Sequence, residues 1–217
     1  MAQDIGYAAE QDDTVREWQT RAIARLRAEQ ASAPETPLIE LPLTDAPGIR
    51  LFLKDESAHA SGSLKHRLAR SLFLHALCNG RISPDTLIVE ASSGSTAVSA
   101  AWFARLLGLP FLAVVPACTA REKILQIEAL GGTCREVADP RTIQSEAARI
   151  ARECTGYHLD QFTLAERATD YRASGNIAQA IFAQMADVPG GLPRWIVCGA
   201  GTGGTATTLG RHARYMG

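Results

Sequence analysis

The chain has 217 residues, 46% hydrophobic and 21% charged, which is enough to bury a substantial core in one or two lobes. A formal net charge of -1 gives no basic surplus for nucleic acid or an acidic membrane. The first ten residues lack a signal peptide's basic and apolar regions, and the most apolar run, 106–117, is broken by Gly108, Pro110 and Pro116 and is too short to span a bilayer.

Residues 1–13 read as disordered or loosely attached. Thr14 to Glu17 forms a capping box, and Val15, Trp18, Ala22 and Leu26 make one apolar stripe. A docking helix over 14–29 is expected, its stripe facing either its own core or a second subunit. A linker covers 31–37, and short extended pieces follow at 38–41 and 50–54. Ser63 then caps a helix whose apolar positions (Leu64, Leu68, Leu72, Phe73, Ala76 and Leu77) repeat with helical spacing, and Asn79-Gly80 ends it. Beyond it, strands are predicted at 86–89, 111–115, 133–137, 157–159 and 195–198. Helices are predicted at 96–107, from Thr119 to Gly131, from Pro140 to Cys154, at 175–186 and from Thr205 onward. A polar loop is assigned to 160–173. Strands alternating with helices predict an α/β fold, a parallel sheet covered on both faces.

The five cysteines are scattered without a CxxC pair and read as reduced, mostly buried thiols, which points to the cytoplasm. The histidines lack ligand spacing, so no metal site is expected. Three stretches carry chemistry. Lys65 stands in the first turn of its helix, where unpaired backbone N–H groups and the helix dipole disfavour an ammonium, so its amine is suited to Schiff-base formation or proton transfer. The loop from Glu90 to Thr96 brings four hydroxyls and a glycine to a helix N-terminus, a nest for a carboxylate or phosphate. The loop from Cys198 to Thr205 holds four glycines ahead of another helix, a phosphate cradle. It also matches G-x-G-x-x-G at Gly199, Gly201 and Gly204. That leaves a nucleotide-dependent oxidoreductase open, because the chain ends 13 residues after Gly204 and the acidic residue expected about 20 positions on is beyond it. A helix-start lysine, a carboxylate nest and a phosphate cradle together suit pyridoxal phosphate chemistry.

At these residues, from about Thr36 to the C-terminus, the chain resembles the cysteine synthase and cystathionine β-synthase family of fold-type II pyridoxal phosphate enzymes. Thr36-Pro37-Leu38 resembles the family's opening motif. Ser61-Gly62-Ser63-Leu64-Lys65-His66-Arg67 resembles its Schiff-base motif, Ser92 to Ala97 its carboxylate loop, Gln161-Phe162 its carboxylate-binding glutamine and Gly201 to Thr205 its cofactor phosphate loop. The stretches 54–70 and 161–172 look most like the L-cysteine desulfhydrase branch. The resemblance implies a tryptophan synthase β-like fold in two lobes, with 14–56 and 158–217 in a larger cofactor lobe and 57–157 in a smaller mobile one. It implies Lys65 as the catalytic, cofactor-bearing lysine. It gives cofactor contacts to Ser95, Gly201, Thr202, Gly203, Gly204 and Thr205, and substrate contacts to Ser92, Ser93, Gly94, Thr96 and Gln161. The implied reaction is β-elimination on L-cysteine to sulfide, pyruvate and ammonia, in a homodimer. β-Replacement cysteine synthesis from an activated serine and a non-catalytic fragment or partner subunit are the alternatives. Three departures stand out: His66 replaces the usual aspartate, Ser95 replaces the usual asparagine, and the chain stops at Gly217 before the residue that meets the pyridine nitrogen, as a C-terminally truncated member would.

Overall fold

A computed structural model describes the backbone from Ala2 and the side chains from Thr14. Helix α1 runs over Ala2–Ser32, so the Thr14 box lies inside a helix and does not start one. The residues ahead of it, among them Ala8, Ala9, Glu10 and Gln11, include strong helix formers. The expected looseness of 1–13 concerns side chains outside the described residues. The stripe behaves as read: Ala22 and Leu26 are buried, and α1 packs on its own chain, against α2 (Lys65–Cys78) and α3 (Ser95–Leu107).

Strands β1 (Leu38–Leu41) and β2 (Leu51–Lys54) pair antiparallel as a separate hairpin. The main sheet is parallel throughout, in the order β5 (Thr133–Val137), β4 (Phe111–Pro116), β3 (Ile88–Ala91), β6 (Tyr157–His158). Alternation decides its two faces. Ile88, Phe111, Ala113 and Val115 join the core under α2 and α3, and Val89, Ala91 and Val114 pack under α5 (Ile143–Glu153). Helix α4 (Arg121–Ala129) packs beside α3 and β5. It starts one residue later than its capping box suggests, with Ala120 in place of Thr119 at the cap.

Two expectations fail. The assigned loop 160–173 contains α6 (Gln161–Ala168), because the Asp160 carboxylate accepts from the Thr163 N–H at 3.2 Å and caps a helix there. The expected strand at Trp195–Cys198 is irregular, with Trp195 85% and Val197 95% exposed. A strand exists only by pairing, and among the described residues no strand lies beside this segment. Helices α7 (Ile177–Ala186) and α8 (Gly204–Met216) flank it and pack on each other.

A buried ionic cluster ties the hairpin to α2. Arg67 donates to both Glu56 oxygens at 2.8 and 3.0 Å and to Glu35 at 2.5 Å, and the Thr36 hydroxyl donates to Glu56 at 2.7 Å. Lys54 bonds Glu35, the Thr36 carbonyl and Gln184 of α7. Burial by itself would raise both carboxyls, but hydrogen bonds from His59, Arg67 and Thr36 outweigh it at Glu56, and those from Arg67 and Lys54 do so at Glu35, holding each at about 2.

Candidate active site

Lys65 opens α2. Leu64, not Ser63 as expected, is the N-cap, although the Lys65 backbone N–H still donates to the Ser63 hydroxyl at 3.2 Å. The Lys65 amine is half-buried and meets no hydrogen-bond or ion-pair partner among the described residues. Burial lowers its proton affinity below the ordinary lysine value, and burial is the cause found, in place of the dipole argued from sequence.

The amine lines a cavity of about 420 Å3 between α2, α6, α7 and α8. Thr202, Gly204, Thr205 and Thr208 form one wall, and Gly175 and Asn176 another. Arg27, Arg67, Arg70, His75, Cys78 and Asp170 are the titratable neighbours in the lining; Cys78, like Cys118, Cys154 and Cys198, is exposed and Cys134 half-buried, where mostly buried thiols were expected. Gly203, at φ 82, caps α8 in a left-handed conformation open to glycine, and no side chain caps that helix end. The first-turn N–H groups of α8 are thus left for a ligand beside the cavity.

The hydroxyl loop stands apart from that cavity's lining. Ser92 and Thr96 are buried, while Ser93, Gly94 and Ser95 are half-buried. The Ser92 hydroxyl accepts from the Gly94 N–H at 3.2 Å, and no side chain caps α3. The Thr96 hydroxyl donates to the Gln161 carbonyl oxygen at 2.7 Å, so the loop and the glutamine meet as expected.

Helix α6 joins the two groups. Gln161, its first residue, holds Thr96, and Ala165, one turn on, packs against Gly204, where an added Cβ would stand 3.0 Å from the Ala165 Cβ. Reading 160–173 as a loop missed this, although Asp160 ahead of Leu164, Ala165 and Ala168 was a legible cap and stripe. Asn176 was missed too: it caps α7 by accepting from the Gln179 N–H at 2.9 Å and lines the cavity. Glu90, at the end of β3, is fully buried, with no counter-charge and only weak contact with the Gln161 N–H groups. Burial first, and the Asp160 charge second, push its carboxyl up to about 8, with Gln161 tempering the shift. Among the described residues no group of three or more His, Cys, Asp or Glu side chains is gathered as a metal site would be.

A partnerless amine and an uncapped glycine-rich helix start on one cavity are the equipment of a phosphorylated aldehyde's binding site. The chain belongs to the family of pyridoxal-phosphate dependent enzymes, whose family model matches residues 31–217. That membership removes the nucleotide-dependent oxidoreductase reading of the glycine loop. Over 205 residues the chain is 54% identical to the L-cysteine desulfhydrase Cds1 of Mycobacterium tuberculosis, covering 92% of this chain and 55% of the relative. It is 32% identical to a putative pyridoxal-phosphate dependent protein of Caenorhabditis elegans, covering 91% of this chain and 48% of the relative. The crystal structure of O-ureido-L-serine synthase superposes with a TM-score of 0.77 at 27% identity, over 87% of this chain and 59% of that one. The fold is that of the fold-type II enzymes, and the chain spans about half the length of the curated relatives it matches.

Proposed function

We propose that this chain carries the lysine-bearing part of an enzyme that converts L-cysteine and water to sulfide, pyruvate and ammonia. The observation that carries the reading is the partnerless Lys65 amine, half-buried, lowered in proton affinity by that burial, and sharing one cavity with the uncapped start of α8. The 54% identical relative, a cysteine desulfhydrase by name, supports the choice of substrate. In this reading Lys65 would hold the aldehyde carbon of pyridoxal phosphate. Gly201, Thr202, Gly203, Gly204 and Thr205 would hold its phosphate, and Ser95 its ring hydroxyl. When bound, the cofactor supplies a conjugated ring that draws negative charge away from the substrate Cα.

The substrate carboxylate is assigned to Ser92, Ser93, Gly94, Thr96 and Gln161. A helix N-terminus and hydroxyl donors favour an anion there. With Gln161 Oε1 occupied by Thr96, its amide NH2, which also faces Glu90, is the group that could donate to the substrate. Lys65, whose affinity for a proton is lowered by burial, takes the Cα proton, and the thiolate leaves from Cβ. The larger lobe is assigned to 14–56 and 158–217, the smaller to 57–157, in a cytoplasmic homodimer. β-Replacement, which shares these residues, is the second reading, supported by the structural likeness to a synthase at 27% identity.

Lys65→Ala tests the first claim. The variant is expected to lose the absorbance change on adding pyridoxal phosphate and all sulfide release from L-cysteine, measured on the chain joined to any segment its activity requires. Full turnover without the amine would sink the reading. Sulfide consumption with an activated serine, without sulfide release from cysteine, would select replacement.

A further inference from the structure

His66 stands where the resemblance leads one to expect an aspartate, and it has a built environment that the proposed reaction does not use. It is the second residue of α2 and 1% exposed. His59 stacks on its ring at 4.8 Å, and Trp102 and Phe103 of α3 pack against it at 5.0 and 4.7 Å. Its Nε2 lies 2.9 Å from Glu29 Oε1 of α1, and its Nδ1 lies 3.0 Å from Ser61 Oγ. Ser61 Oγ is in turn 2.8 Å from Ser99 Oγ of α3.

The direction of this chain of hydrogen bonds follows from charge. Burial would raise the Glu29 carboxyl, but hydrogen bonds from His66 and Arg70 outweigh it and keep it below its ordinary value. A carboxylate only accepts, so Nε2 carries the hydrogen. Burial lowers the proton affinity of His66 despite Glu29, so Nδ1 is left as an acceptor. Ser99 then donates to Ser61, Ser61 to His66 and His66 to Glu29, whose second oxygen accepts from Arg70 Nε at 2.7 Å. The order Ser–His–Glu resembles a hydrolase triad, but the ring is closed to solvent and neither Ser61 nor His66 lines the cavity. An aspartate at this position would set a second carboxylate against Glu29, so His66 and Glu29 are a matched pair.

Consecutive helical residues point about 100° apart. While Lys65 faces the cavity, His66 faces the core, where rings and hydrogen bonds hold it on every side. We propose that His66, with Glu29 and Ser61, is a positioning residue for Lys65: the Ser99–Ser61–His66–Glu29 chain locks the first turn of α2 between α1 and α3 and so holds the Lys65 amine in its half-buried place on the cavity. The value of this to catalysis rests on Lys65 being the cofactor lysine, but the positioning itself is readable without cofactor.

The sequence helps the test, because it has only three lysines, Lys54, Lys65 and Lys123. Competitive acetylation with peptide mass mapping reads each amine in the same molecule across pH. His66→Phe keeps the ring and removes both hydrogen bonds, Ser61→Ala breaks the chain at its smallest member, and His66→Gln restores a donor toward Glu29. The Lys65 acetylation midpoint is expected to rise by about one pH unit in His66→Phe as the amine gains water, to rise less in Ser61→Ala, and to fall back toward native in His66→Gln. Thermal unfolding confirms that each variant is folded, and Ser61→Ala decides the matter if His66→Phe is not. An unchanged Lys65 midpoint in folded variants, with only a lower unfolding temperature, overturns the proposal. A separate arm treats the native chain with pyridoxal phosphate and borohydride. Label spread evenly over the three lysines would overturn the cofactor-lysine reading while leaving the acetylation result to judge the positioning.

Discussion

Glu90 is the residue whose environment departs furthest from its solution chemistry. A carboxyl with 0% exposure, no counter-charge and only weak contact with Gln161 cannot hold a charge cheaply, and the Asp160 charge adds to the effect. With its value raised from the ordinary 4.5 to about 8, it carries its proton at neutral pH. The folded state therefore binds a proton that the unfolded chain releases. Stability is full below about 4.5 and falls as pH rises toward about 8, where the folded group also ionises. Glu90→Gln, of the same shape and never charged, is expected to gain on the native chain across that range. Thermal unfolding curves measured at intervals through it check this, and a constant gap between the two proteins would count against the buried, protonated Glu90.

At the level of elements, α6 governs how the candidate site is put together. Its first residue holds the hydroxyl loop through Thr96, and Ala165 sets the approach of α8 through Gly204. Gly204→Ala brings a Cβ within 3.0 Å of the Ala165 Cβ, so one helix must shift. The expected cost is about 1–3 kcal/mol in stability from overpacking. If the glycine loop holds the cofactor phosphate as proposed, a fall of about tenfold in pyridoxal phosphate affinity is also expected from misplacing it. Absorbance titration and urea unfolding read the two effects. Gly201→Ala, which meets nothing within 4 Å, is the comparison: its packing cost should be near zero. Equal destabilisation by the two substitutions would show that the α6–α8 contact does not set this spacing.

Across the whole molecule, the Arg67 cluster joins segments that the main sheet does not reach. Arg67 on α2 bonds Glu56, Glu35 and the Gly175 carbonyl, while Lys54 on β2 reaches Gln184 of α7. Arg67→Met strands the Glu56 carboxylate at 7% exposure. Urea unfolding is expected to show a loss of about 3–5 kcal/mol, the cost of an uncompensated buried charge. Because Glu35 and Glu56 titrate at about 2, below the unfolded value, their contribution is present above the ordinary carboxylate range and is lost as pH falls toward about 2. In Arg67→Met that acid-sensitive share of stability should be largely gone, and a native-like acid transition in the variant would speak against the cluster's role.

Much of this protein was legible in its residues. Helical periodicity and apolar runs placed Lys65 at a helix start, the hydroxyl-rich and glycine-rich loops ahead of α3 and α8, and the strands β3 to β6 in a parallel sheet, because backbone preference and burial pattern act over a few residues. Tertiary structure alone decided the rest. Thr96 meets Gln161 across 65 positions, and His66 meets Glu29 across 37. Glu90 is left without a counter-charge, and 195–198 stays unpaired where its apolar residues suggested a strand. Each of these depends on which distant segment arrives alongside, and a hydrogen bond, a buried charge or a strand has no existence without that neighbour.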